Sequence, residues 1–149
     1  MRALGLLTAL VFGLSAVAVE ASEPASPSGY YLPFSVSEQG RDLFVSKGCV
    51  VCHAVNGVGG EFAPALDADP SRTQIDAFDF AARMWRGAQA MIAFQNMEFG
   101  FQIDLSGQDL AHIARFLHDR EAQKTFGEDD IPENIRKLMR SDALKELDL

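Results

Sequence analysis

The chain has 149 residues, 48% of them hydrophobic, and it carries a formal net charge of −8. This length suits one compact domain with appended segments, and the apolar content is sufficient for a core. The negative charge argues against a nucleic acid partner, because phosphate backbones are bound by clustered Lys and Arg, and it favours an acidic protein that docks on basic partners.

The first 21 residues have the pattern of a secretory signal peptide. A short positive start, Met1-Arg2, precedes an uncharged apolar run from Ala3 to Val19, and small residues follow where cleavage would occur. We therefore expect residues 1–21 to be removed and the protein to be periplasmic or otherwise exported. The alternative is an uncleaved anchor, the only case in which a membrane would be a partner, since the run is nearly long enough to span one. Residues 22–34 are rich in Pro and Ser and are predicted to form a linker.

Two helices are predicted in the first half of the remaining chain. The first begins at Ser35, where Ser35 and Glu38 fit a capping box, and Gly48 is a plausible stop. The second begins at Asp76, whose carboxylate can cap a helix, and it is expected to end near Gly87. A loop rich in Gly and Pro lies between them.

A last core helix is predicted to begin at Ser106, because the apolar residues after it recur at the spacing of one buried helical face. A further helical segment is predicted from Ile131 to Leu147. No apolar run alternates with polar residues, so we expect no sheet of consequence. The sequence thus predicts an all-α fold with long loops, a domain over residues 35–124 and a helical C-terminal extension over residues 125–149.

The residues most suited to chemistry are concentrated in the sequence GCVVCH. It holds both cysteines of the chain, Cys49 and Cys52, and one of its three histidines, His53. A closed zinc site needs four ligands. The other histidines, His112 and His118, lie six residues apart on a predicted helix, about 120° from each other, so they do not easily face one metal. A thioredoxin-like dithiol would need a strand-to-helix junction, which the surrounding pattern does not provide.

Covalent haem attachment is the hypothesis that uses all three side chains. The spacing C-x-x-C-H places two thiols one turn apart, where they can bond to the two vinyl edges of a haem. The adjacent imidazole then stands over the iron as its proximal ligand. In an exported, all-α chain, this pattern predicts one haem c that is held by Cys49 and Cys52 and whose iron is bound by His53.

From Ser35 to His118 the chain resembles the small monohaem class I cytochromes c. In that family a Gly and an aromatic residue four positions later pack the first helix across the last one. Gly40 and Phe44 match these two positions within GRDLFVSKGCVVCH. The resemblance implies three or more core helices around a covalently bound haem.

The loop GVGGEFAPAL is similar to the family's Gly-rich stretch that ends in Gly-Pro-x-Leu. Pro64 and Leu66 match, whereas Ala63 stands where the family usually has Gly. The resemblance implies that the Pro64 carbonyl accepts a hydrogen bond from His53. Such a bond would fix the tautomer of the imidazole and raise the basicity of its iron-binding nitrogen.

The second axial ligand is one of two methionines. The stretch RGAQAMIAF resembles the family's ligand loop, which implies Met91 as the distal ligand, although Ile92 replaces the usual Pro. Met97 is the alternative, because its distance from Ser106 suits the family's spacing between the ligand and the last helix. Trp85 is a candidate to wall the haem or to donate its indole N–H to a propionate, with core packing as the other possibility.

The residues and the resemblance together predict an exported monohaem cytochrome c that carries single electrons between redox proteins. A thioether ligand would raise its potential, because soft sulfur favours ferrous iron. The sequence shows no recognisable catalytic nucleophile or acid–base pair, so it does not indicate an enzyme. One alternative is a haem-bearing subunit of a larger redox enzyme, with the C-terminal extension as its docking element. Another is a haem protein whose open sixth position binds gases or peroxide.

Overall fold

The computed structural model describes residues 35–71 and 76–140. The predicted signal peptide and linker lie outside these ranges. Within them the chain folds as α1 (Ser37–Ser46), α2 (Cys49–Cys52), α3 (Ala77–Phe99), α4 (Gly107–His118), α5 (Arg120–Lys124) and α6 (Glu133–Met139). A hairpin of two-residue strands, β1 (Ala54–Val55) and β2 (Val58–Gly59), follows α2, and a 3-10 turn at Glu128–Asp130 precedes α6. The predicted all-α class is confirmed.

The core lies where α1 crosses α4. A Cβ atom at Gly40 would overlap the backbone carbonyl of His112, so only a glycine lets the two helices approach this closely. One turn further along α1, the buried ring of Phe44 lies 5.8 Å from the ring of Phe116 and 5.9 Å from that of Phe126, measured between centroids. The predicted packing of Gly40 and Phe44 against the last core helix is therefore confirmed.

Helix α1 begins later than predicted. Its N-cap is Val36, which cannot form a side-chain cap, and the predicted N-cap at Ser35 is wrong. The backbone N–H of Val36 instead donates to Nδ1 of His112 on α4, at 2.8 Å. The start of α1 is thus fixed by a tertiary contact from the helix that it crosses.

Helix α3 departs most from the sequence prediction. The carboxylate of Asp76 caps its first turn as expected. The helix does not end near Gly87, however, but continues to Phe99, and Gly100 closes it with a positive φ of 77°.

The extension of α3 beyond Gly87 has a local cause. Residues 88–93 include three alanines, the residue with the highest helix propensity, and Ile92 keeps the amide hydrogen that the family's Pro would lack. One interior Gly costs only about 1 kcal/mol relative to Ala. Met91 therefore lies within a helix rather than in a loop.

The first and last helices of the C-terminal half of the chain follow the sequence prediction more closely. Helix α4 begins at Ser106 as predicted. Its first turn is closed by a capping box, in which Ser106 Oγ accepts the N–H of Asp109 at 3.1 Å and the Asp109 carboxylate accepts the N–H of Ser106 at 3.0 Å. The predicted helix from Ile131 to Leu147 is observed as α6, which begins at Glu133, and positions 141–149 lie outside the described residues.

The segment after α5 belongs to the core. Ile131 is fully buried, Ile135 is 9% exposed, and α6 packs against α2. This part of the C-terminal extension thus covers the helix that carries both cysteines. None of the helices in the described ranges combines the length and apolar content needed to cross a membrane.

Candidate functional site

The cysteines stand at the two ends of α2, a single helical turn. Gly48, with a φ of 81°, separates this turn from α1. Val50 and Val51 are buried and anchor the turn in the core, while Cys49 and Cys52 are half-buried and neither forms a disulfide. Both sulfur atoms are therefore outside any disulfide and lie one turn apart.

Neither thiol is activated as a nucleophile. Burial raises the pKa of Cys49 to about 11, and a backbone hydrogen bond and Lys47 offset only part of this effect. Burial also raises the pKa of Cys52, and the negative charge of Glu98 adds to the rise. Redox-active cysteines usually have a lowered pKa, so this environment does not favour a thioredoxin-like function.

His53 follows α2 in an extended conformation, and its ring is held by one hydrogen bond. Its Nδ1 lies 2.8 Å from the carbonyl oxygen of Pro64. A carbonyl oxygen can only accept, so Nδ1 carries a proton and donates it, and Nε2 takes no part in this bond. The hydrogen bond that the resemblance implied is present, and it leaves Nε2 available to a metal.

The Gly-rich loop lies directly against residues 48–54, which we call the attachment segment. Three backbone hydrogen bonds join the loop to this segment: Gly60 N–H to Val50 O (2.8 Å), Ala63 N–H to Cys52 O (2.9 Å) and Leu66 N–H to Ala54 O (2.8 Å). A Cβ atom at Gly60 would overlap the carbonyl of Val51, so the close approach requires glycine there. This pairing brings Pro64 level with His53.

One face of helix α3 packs against the Gly-rich loop and the start of the attachment segment. The ring of Phe94 packs edge-on against Phe62, with 4.6 Å between centroids, and Phe99 packs over Gly48. Phe94 and Phe99 both lie within about 80° of Met91 around the helix axis. Met91 thus shares the face of α3 that contacts the loop and the start of α2.

Met97 and Trp85 lie on opposite sides of Met91, just outside the arc of α3 between Phe94 and Phe99. Each is six residues from Met91, which corresponds to about 120° around the axis. Met97 is 48% exposed and Trp85 is 83% exposed. The alternative that Trp85 packs in the core is therefore wrong. No contact in the described residues joins Trp85 to His53, and its contact with a haem stays a prediction.

The zinc hypothesis gains no support from the described part of the chain. It contains no group of three or more His, Cys, Asp or Glu residues that could hold a metal ion. His112 lies at the crossing of α1 and α4, and Nδ1 of His118 bonds the carbonyl of Ala114 at 2.8 Å. Both histidines are engaged away from the cysteines.

Sequence patterns do not point to Gln123, a buried polar residue beneath the Gly-rich loop. Its side-chain amide bonds the backbone of Leu66 and Ala68, which are 57 and 55 residues away along the chain. A single Gln on a short helix carries no local indication of such distant partners.

The donor set fits a covalently bound haem. Two cysteines one turn apart, neither in a disulfide, and an adjacent imidazole held through Nδ1 are the groups that a c-type haem requires, and an all-α core surrounds them. This arrangement defines a c-type haem protein. A family model for cytochrome c matches residues 37–121, which is more than half of the chain.

The chain therefore belongs to the cytochrome c family, with haem c as its cofactor and electron transfer as its general role. The pair Cys49 and Cys52 fits the attachment site of that cofactor. Comparison with curated proteins and with solved structures gives no significant match.

Proposed function

We propose that this protein is an exported monohaem cytochrome c that carries single electrons between redox proteins, with His53 and Met91 as the axial ligands of the iron. The observation that carries the proposal is the 2.8 Å hydrogen bond between His53 Nδ1 and the carbonyl of Pro64. It orients the imidazole beside two thiols and leaves Nε2 as the iron-binding nitrogen.

Each residue of the site has a distinct role in this proposal. Cys49 and Cys52 hold the haem through thioether bonds, and the haem, when bound, supplies the one-electron chemistry. The carbonyl of Pro64 increases the basicity of His53 Nε2, which favours ferric iron. A methionine sulfur on the other side favours ferrous iron, so the two ligands set the potential in opposite directions.

The register of α3 supports Met91 over Met97 as the distal ligand. Met91 shares a helix face with Phe94, whose ring packs on Phe62 two residues before Pro64. Met91 lies between Phe94 and Phe99 around the helix axis, whereas Met97 lies outside that arc, about 60° beyond Phe94.

Export, the partner and the carrier role are supported by the sequence and by charge. Residues 1–21 have the pattern of a signal peptide, and the net charge of −8 favours a basic docking partner. The match to the cytochrome c family supports a carrier rather than an enzyme.

The attachment of the haem is tested by extraction under denaturing, acidic-organic conditions. We expect the wild-type chain to keep its haem, because thioether bonds survive this treatment. The double variant Cys49→Ser/Cys52→Ser should release the haem completely, whereas each single variant should retain it through the remaining bond. The haem content of the protein and organic phases is measured by absorption. Loss of haem from the wild-type chain would contradict the proposal.

A further inference from the structure

Gln123 is one of the most deeply buried polar residues in the described chain, with 2% of its surface exposed. Its side-chain Oε1 accepts the backbone N–H of Ala68 at 2.8 Å, and its Nε2–H donates to the carbonyl of Leu66 at 3.1 Å. Both ends of the amide are therefore used, as the burial of a polar group requires.

The backbone carbonyl of Gln123 holds the chain that follows His53. Its carbonyl accepts a hydrogen bond from Asn56 Nδ2 at 3.0 Å, and the Asn56 N–H donates to the Asp67 carboxylate at 2.6 Å. Asn56 begins the hairpin turn three residues after His53. One residue on α5 thus ties the chain after His53 to the chain after Pro64.

The position of the Pro64 carbonyl depends on anchors on both sides of it. Ala63 is bonded to the backbone of Cys52, and Leu66 is bonded both to Ala54 and to Gln123. Gln123 holds the loop after Pro64 by hydrogen bonds from outside the attachment segment, whereas Phe94 packs on the loop before Pro64 through Phe62. Gln123 also lies beyond residues 37–121, where the cytochrome c family model matches.

We propose that Gln123 is a positioning residue, which holds the loop of residues 64–68 so that Pro64 keeps its hydrogen bond to His53 and thereby tunes the reduction potential. This inference rests on the proposed function, because the potential is that of a haem bound by His53. Loosening the loop weakens the Nδ1–H···O bond and lowers the basicity of Nε2. The ferric state then loses stabilisation, so the potential rises.

The test compares two variants of Gln123 with a matched control. Gln123→Leu removes both side-chain hydrogen bonds at similar volume, and Gln123→Glu keeps an acceptor for the N–H of Ala68. The control is Phe126→Leu, which loosens the aromatic cluster with Phe44 and Phe116 and keeps the backbone hydrogen bond from residue 126 to the Gln123 carbonyl. For each protein the potential, the melting temperature and the solvent exchange of the His53 Nδ1 proton are measured, the last by NMR of the ferrous state.

We expect exchange of the ring proton to accelerate by about tenfold or more in Gln123→Leu, because two hydrogen bonds that oppose local opening are lost. The potential should rise in the same variant, and Gln123→Glu should show smaller changes in both quantities. Phe126→Leu should lower the melting temperature while leaving exchange and potential near their wild-type values. Where Gln123→Leu does not fold, the comparison of Gln123→Glu with the control decides the question.

Equal exchange and equal potential in the Gln123 variants and the control would overturn the inference, and Gln123 would then be a buried stabilising residue only. A wild-type chain without covalent haem would be a failure of the proposed function instead. In that case exchange of the His53 ring proton and of the Ala68 amide, measured on the chain as isolated, still decides whether Gln123 holds the loop.

Discussion

At the scale of single residues, the assignment of the distal ligand to Met91 is open to a direct comparison with Met97. The two residues lie on one helix, so Met91→Ala and Met97→Ala are matched substitutions. With Met91 as ligand, the ferric protein should be low-spin and show the weak red-edge band of a sulfur–iron bond. Met91→Ala should abolish this band, lower the potential and open the iron to carbon monoxide. Met97→Ala should change little, since Met97 lies outside the arc of α3 between Phe94 and Phe99.

The opposite pattern in these two variants would transfer the ligand role to Met97. If the wild-type protein binds carbon monoxide readily and neither substitution matters, the electron-carrier proposal fails. The haem protein with an open sixth position would then be the better description. Absorption spectra of both oxidation states, with and without carbon monoxide, distinguish the three results.

Residues whose partners are close in sequence could be predicted from local patterns, and distant partners only where the family resemblance implied them, as for Gly40 and Phe44. Cys49, Cys52 and His53 form one short pattern, and Pro64 is only 11 residues from the imidazole that it orients. Gln123, in contrast, bonds residues 55 and 57 positions away. Contacts of this kind follow from the packing of α5 beneath the loop, which no local pattern encodes.

At the scale of elements, α3 shows why helix ends are harder to predict than helix existence. Its start at Asp76 is fixed by a local cap and was predictable, as was the start of α4 at Ser106. Its end depends on whether the chain stops at Gly87 or continues. Packing of Phe94 and Phe99 on the attachment segment stabilises the second half of the helix, and this tertiary contact outweighs the low propensity of one Gly.

The segment that leads into α6 should contribute to the stability of the whole core. Ile131 is fully buried, so Ile131→Ala should lower the free energy of unfolding by about 2–5 kcal/mol through lost burial and an unfilled cavity. The control is Asn134→Ala on the exposed side of α6, which should change it by less than about 0.5 kcal/mol. Denaturant unfolding of the haem-bearing proteins measures both.

Equal stability of the Ile131 variant and the wild type would show that this segment does not pack on the core in solution. The C-terminal extension would then be available to a partner, as expected for a haem-bearing subunit of a larger enzyme. The buried position of Ile131 and the packing of α6 on α2 favour a loss of stability in the Ile131 variant.

At the scale of the whole molecule, the net charge of −8 should guide encounters with basic redox partners. The chain beside the attachment turn, residues 61–69, carries Glu61, Asp67 and Asp69 but no Lys or Arg, so negative charge is concentrated next to His53. Two propionates of the haem would add to it.

Electron transfer to a basic redox protein should therefore slow by about tenfold between low and physiological ionic strength, where the Debye length falls from roughly 30 Å to roughly 8 Å. Transfer to a neutral small-molecule oxidant is the control and should change little. Glu61→Gln should reduce the low-salt rate more than Glu38→Gln, because Glu38 lies at the end of α1 away from the cysteines. Stopped-flow absorbance measures these rates. A rate with the basic partner that does not depend on salt would contradict electrostatic docking and indicate an apolar contact instead.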